Sequence, residues 1–208
     1  MTTTFTWNVD DLKRVLGPAV DAGVSEMALV LADTAARSMG RDHGGVPSAP
    51  GMSPNSQSGH LRNSIVYVTP GKLGTPGRAA VGSNVPYARI LEQGGTIFPK
   101  SVKYLPVPIN KAAKKMLYAT SDRGAGGVGP QSSLRRFKLQ LIVKDGKAML
   151  LEKTATGKIK KNGAAFVLKK SVRIRPRPYL VPALTTARAD MERAFVDAAS
   201  SVLRRAAI

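Results

Sequence analysis

Apolar residues recur at helical spacing only near the two ends of this 208-residue chain. Between those ends, glycine and proline cut the sequence into short, mostly alternating runs. The narrow, Ala-rich face of the first helix suits close packing on a sheet or a neighbouring helix. The pattern predicts an α+β fold: a small, mostly antiparallel sheet flanked by an N-terminal and a C-terminal helix. It predicts one domain over residues 1–208, with a Gly/Pro loop at 41–59 and a basic β-hairpin insertion at about 109–171.

The first helix is capped by Asp10 or Asp11 and begins its apolar face with Leu12, Val15 and Leu16. Gly17-Pro18 predicts an interruption, after which Val20, Val24, Met27, Ala28, Leu31 and Ala35 continue the stripe up to Gly40. Leu61 to Thr69 reads as a strand, Arg78 to Gly82 as its return, and Tyr87 to Gln93 as a short helix closed by Gly94-Gly95. Thr96 to Val107 is extended and, with Pro99 and Pro106, belongs at a sheet edge. Residues 109–136 begin as a short basic helix and decay into a glycine-rich run. Phe137, Leu139, Leu141 and Val143 then alternate with polar residues up to an Asp145-Gly146 turn, and Lys147 to Lys153 returns. Asn162-Gly163 predicts a second tight turn before Ala165 to Arg175. The last helix runs from Pro182 to about Ala206, on a face of Leu184, Ala187, Met191, Ala194, Phe195, Ala198 and Val202.

Charge is the second constraint. The formal net charge is +19, from 32 Lys and Arg against 13 Asp and Glu, which favours a polyanion or an acidic protein surface as partner. Between Lys100 and Arg177 roughly twenty basic residues face only Asp122, Asp145 and Glu152, so the basicity belongs to the middle of the chain. The absence of cysteine excludes disulfides, thiolate metal sites and Cys nucleophiles, and fits folding in a reducing cytoplasm. No secretory signal pattern or spanning apolar run is apparent, so no membrane partner is expected.

Candidate chemistry is sparse. His43 and His60 both fall in or beside the Gly/Pro loop without converging donors, so they read as solvated loop residues. Gly124-Ala125-Gly126-Gly127-Val128-Gly129 has the spacing of a dinucleotide loop, but Pro130 follows it and no helix does; it reads as a linker. Glu92 is the only acid between Asp42 and Asp122, which suits a helix cap or an inter-subunit ion pair better than catalysis. No catalytic, cofactor-binding or metal-binding residue is assigned, and no enzyme is expected. Lys158, Lys160, Lys161, Lys169 and Arg173 are candidates for contacts with DNA or an acidic partner, although lysines alternating along strands also serve as a solvated face that protects an edge.

Four passages occur in a fixed order. They are Pro50-Gly51-Met52-Ser53-Pro54 with Ser58-Gly59-His60-Leu61-Arg62-Asn63-Ser64-Ile65; Val81-Gly82-Ser83 with Tyr87-Ala88; Glu92-Gln93-Gly94-Gly95-Thr96-Ile97; and Arg177-Pro178-Tyr179-Leu180-Val181-Pro182-Ala183-Leu184. Together with the two end helices, this series resembles the neck and tail-completion (virion morphogenesis, minor tail) proteins of tailed bacteriophages. The resemblance covers residues 10–108 and 172–206 and leaves about 109–171 unmatched. Leu91-Glu92 stands where one branch of that family has a histidine. The matching positions are Gly59, Leu61, Arg62, Ser64, Tyr87, Glu92, Gly94, Pro178 and Pro182.

The resemblance implies a small sheet flanked by helices and a structural subunit located where head meets tail or where the tail ends. It implies a homo-oligomeric ring, often hexameric in the family, that docks to connector or adaptor and to tail-tube or tail-terminator proteins. Such a subunit would assemble in the host cytoplasm, belong to the virion, and touch passing genomic DNA nonspecifically. The alternative from composition alone is a basic nucleic-acid-binding protein.

Overall fold

A computed structural model describes residues 9–40, 48–56, 59–100, 102–113, 139–144, 147–154 and 156–206. The fold is α+β, with antiparallel sheets and a long helix near each end of the described chain. Two compact units are present: residues 1–95 with 174–208, and residues 96–173.

In the first unit, α1 (Val9–Ser38) is followed by α2 (His60–Asn63), β1 (Ile65–Val68), α3 (Pro70–Leu73), β2 (Ala80–Ser83) and α4 (Ala88–Gln93). The chain returns to it as α5 (Leu180–Thr186) and α6 (Arg188–Ala206). Strands β1 and β2 pair antiparallel, from Ile65 opposite Ser83 to Val68 opposite Ala80. α1 lies along α6 and also packs on α5 and β1. Its buried side chains are small, Ala19, Ala28, Ala32 and Ala35, which permits a close helix approach. Gly23 faces α6 directly: a Cβ there would lie 2.5 Å from the Phe195 ring. The core joins Ala35, Met39, Leu61, Val85, Ala88, Tyr179 and Ala183, with Leu31, Ile65, Leu91 and Leu180 packed around them.

Several expectations need correction here. α1 is continuous through Gly17-Pro18. Proline removes the one helical N–H that would face the Arg14 carbonyl, on an exposed turn of the helix. α1 also has a segment, Leu12–Ser38, whose mean hydropathy of 1.5 over an 18-residue window is long and apolar enough to cross a membrane by length and composition. The expectation that no run qualifies failed because Asp21 and Glu26 hide the average; in the fold, Asp21 accepts the Gly77 N–H at 2.6 Å. Leu61 does not begin a strand. Residues 60–63 form a helical turn, which Ser64 ends by donating its hydroxyl to the Leu61 carbonyl at 2.7 Å, so β1 starts at Ile65. His60 accordingly opens α2 and is not a loop residue; its ring lies 6.5 Å from that of Tyr87. The terminal helix is two helices, parted at Ala187, and Leu184 is 49% exposed and so does not lie on the packed face.

The remaining strands are β3 (Gly95–Ile97), β4 (Leu105–Pro108), β5 (Leu139–Lys144), β6 (Lys147–Lys153), β7 (Ile159–Lys169) and β8 (Val172–Ile174), of which β4 to β7 lie wholly in the second unit. β3 pairs with β8, and a four-stranded antiparallel sheet runs β4-β7-β6-β5. The predicted β5–β6 hairpin has Leu139 opposite Glu152 and Lys144 opposite Lys147; its Asp145-Gly146 turn lies outside the described residues. β4 is an edge strand, as its prolines require. Asn162-Gly163 is not a turn but lies within β7 at a register irregularity. The turn is at Thr154–Lys158, where the Thr154 N–H donates to the Lys158 carbonyl at 2.7 Å and Gly157 takes φ +82°. The core of this unit is Ala113, Ala165 and Phe166, with Leu139 and Leu150 against them.

Candidate functional site

The four ordered passages meet around one segment of the first unit, residues 174–181. Glu92 stands at its centre. Helix α4 is short and ends at Gly94, and this points the Glu92 carboxylate at the first turn of α5. One carboxylate oxygen accepts the backbone N–H of Tyr179 at 2.7 Å and of Leu180 at 3.1 Å, and the other accepts that of Val181 at 3.0 Å. These are donors that a helix start leaves without intrahelical partners, and an anion there is favoured by the helix dipole as well. Glu92 is thus a helix cap supplied from 87 residues away in sequence. The Arg177 N–H also donates to the Leu91 carbonyl at 2.6 Å, binding the same two segments again.

Gly94 permits this crossing. It has φ +70° and ψ −174°, and a Cβ would stand 2.9 Å from Pro176 Cδ and 3.0 Å from the Ile174 carbonyl oxygen. The described part of the Gly/Pro loop holds the segment from its other side. Gly51 donates its N–H to the Pro176 carbonyl at 3.0 Å, Ser53 its hydroxyl to the Pro178 carbonyl at 3.2 Å, and Arg177 Nε donates to the Ser48 carbonyl at 3.0 Å. Tyr179 is 1% exposed. Burial raises its phenol pKa above the usual value, and the charges of Glu92 and Tyr87 push the same way.

Of the other matching positions, Gly59, Leu61 and Ser64 have structural contacts or conformations of their own. Gly59 takes φ +73° ahead of α2, Leu61 is buried against the Tyr179 cluster, and the Ser64 hydroxyl meets that of Ser83 at 2.7 Å. Ser83 Oγ in turn accepts the Val85 N–H at 3.2 Å. Arg62 and Pro182 are half-buried, and Tyr87 is 42% exposed.

Beside the capped helix start lies an apolar groove of about 580 Å³. Val24, Met27 and Leu31 of α1 form one wall, with Leu73, Val81, Leu184 and Met191 completing it. Val181 is 65% exposed at its rim. Nothing in the sequence reading singled out this groove. The signal available was Val181 and Leu184, apolar on the side of α5 away from buried Ala183.

The basic candidates lie in the second unit. Lys158, Lys160, Lys169 and Arg173 are exposed, on the Thr154–Lys158 turn, on the two ends of β7 and on β8 respectively. Lys160 Nζ pairs with Glu152 at 2.9 Å, and the Lys161 side chain lies outside the described residues. The fold spreads these cations along the unit instead of gathering them. His43 and the Gly124–Gly129 run lie outside the described residues. Among the described residues, no three His, Asp or Glu side chains are placed to share a metal ion.

Compared with known proteins, the chain matches no family model, no curated protein and no solved structure.

Proposed function

We propose that this chain is a structural subunit of a tailed-phage virion at the head–tail junction or the tail end. It acts by assembling into a ring and docking to connector and tail proteins. The observation that carries this reading is the convergence of the four ordered passages. Leu61, Ala88, Glu92, Gly94 and Tyr179 come from separate parts of the chain and meet at one segment, where their packing and hydrogen bonds fix how α5 leaves the core. That is the work expected of residues that define an assembly fold. The exposed apolar groove beside them is a surface suited to protein contact. A closed ring joins unlike faces of neighbouring subunits, so each copy must offer two different surfaces. Antibody raised against the chain, imaged on virions by electron microscopy, is expected to label the neck or the tail end. Purified virions that carry no label would contradict the reading.

A second reading rests on a different observation. Lys158, Lys169 and Arg173 are exposed and take part in no ion pair among the described residues, and the whole chain carries +19. A basic nucleic-acid-binding protein would use them as phosphate contacts, and its DNA affinity would fall steeply with salt.

A further inference from the structure

The two edges of the four-stranded sheet in the second unit differ in what they can accept. The Ile109 N–H donates to the Ala165 carbonyl at 2.9 Å, in the same register that sets Val107 opposite Val167 and Leu105 opposite Lys169. Main-chain groups in an antiparallel strand alternate sides, so residues 105, 107 and 109 bond to β7 and residues 106 and 108 turn outward. Both of those are proline. The outer edge of β4 therefore offers no N–H across Pro106–Pro108, and no strand can be added there in full register.

The same alternation, carried across the sheet, fixes the other edge. Phe166 and Leu168 turn toward β6, opposite Leu150 and Ala148. Met149 and Leu151 then turn toward β5, opposite Ile142 and Gln140. This leaves Leu139, Leu141 and Val143 with N–H and C=O directed away from the sheet, at an edge that no described strand covers. Leu141 is 56% and Val143 67% exposed, both on one face. An open apolar edge of this kind is a template for strand addition, and natural sheets usually guard it with prolines, bulges or charges. Among the described residues, β4 is guarded by prolines and β5 by none.

We propose that β5 pairs edge to edge with β5 of a second copy, antiparallel about a twofold axis through Ile142. A head-to-tail extension from β5 to β4 is closed off by Pro106 and Pro108, so two copies of this four-stranded sheet can join into one only by β5 meeting β5. In an antiparallel pair, opposite residues share a face, so the sum of their numbers must be even. Centring on Ile142 sets Leu141 opposite Val143 on both sides, and these are the two most exposed apolar residues of the strand. It also makes Ile142 face itself as a non-hydrogen-bonded pair, with Cα atoms about 4.5 Å apart. This isologous contact differs in symmetry from a cyclic ring contact and does not depend on the virion reading.

The chain has no cysteine, which makes the test clean. Ile142→Cys, and separately a mixture of Leu141→Cys with Val143→Cys, would be oxidised at about 0.15 M and about 1 M salt, the latter to screen the like charge of the two copies. Val196→Cys, 59% exposed on α6, serves as the control. The proposal expects disulfide dimers of Ile142→Cys and of the mixture, several-fold above the control. It also expects light scattering to show a dimer of the cysteine-free chain that Val143→Lys converts to monomer with unchanged circular dichroism. A monomer at both salts, crosslinking no greater than the control, or a dimer indifferent to Val143→Lys would each overturn it, as would a β5 edge taken up by another protein in place of the second copy.

Discussion

Glu92 shows how one residue can look like chemistry and act as architecture. Its carboxylate accepts three backbone N–H groups at the start of α5. Glu92→Ala leaves those donors without an acceptor and should destabilise the chain by about 2 kcal/mol, read as a lower urea midpoint with unchanged slope. Glu92→Gln keeps one carbonyl and should lose less. Tyr179, next to this cap, gives a pH prediction. Its pKa is raised in the folded chain, so the folded state holds the phenol proton to higher pH than the unfolded state does. The stability it contributes is complete below the unfolded value, about pH 10, and is lost as pH rises through the folded value. Thermal melts between about pH 9 and pH 11 should fall more steeply for the native chain than for Tyr179→Phe. Equal slopes would mean the phenol has no linked ionisation.

At the scale of elements, periodicity was most readable in runs with an unbroken apolar repeat, whether or not the repeat is buried. The alternation of Leu139, Leu141 and Val143 gave the β5–β6 hairpin, and the stripe from Val20 to Ala35 gave most of α1. Asn162-Gly163 misled because glycine there serves close approach and not a turn: a Cβ at Gly163 would lie 2.9 Å from the Lys160 carbonyl oxygen and 3.1 Å from that of Glu152. The real turn is held by Thr154, whose hydroxyl accepts the Lys158 N–H at 3.1 Å. A capping role for Glu92 was one of two readings of the sequence, but the helix it caps was not legible, since local spacing carries no information about a partner so distant in sequence. Close packing of α1 on α6 is tested at Gly23. Gly23→Ala drives a methyl against the Phe195 ring, costing about 1–3 kcal/mol of overpacking against about 1 kcal/mol of gained helix propensity. Chemical denaturation should show a net loss that Phe195→Leu largely restores in the double variant. Simple additivity would place Phe195 elsewhere.

For the whole molecule, the two units divide the sequence's two signals. The first holds most of the ordered passages, the buried cap and the apolar groove, and the second holds most of the exposed basic candidates and the β5 edge. The virion reading makes interface formation the chain's activity, whereas the polyanion reading makes its charge the activity. Light scattering separates them most directly. The purified chain is mixed with the connector and tail-tube proteins that the virion reading calls for, and its binding to duplex DNA is titrated from about 50 mM to about 200 mM salt. The virion reading predicts a closed multi-subunit complex that includes those partners and persists across that range. A chain that ignores both partners and stays free, while its DNA affinity falls by about a thousandfold or more over the same range, would contradict it.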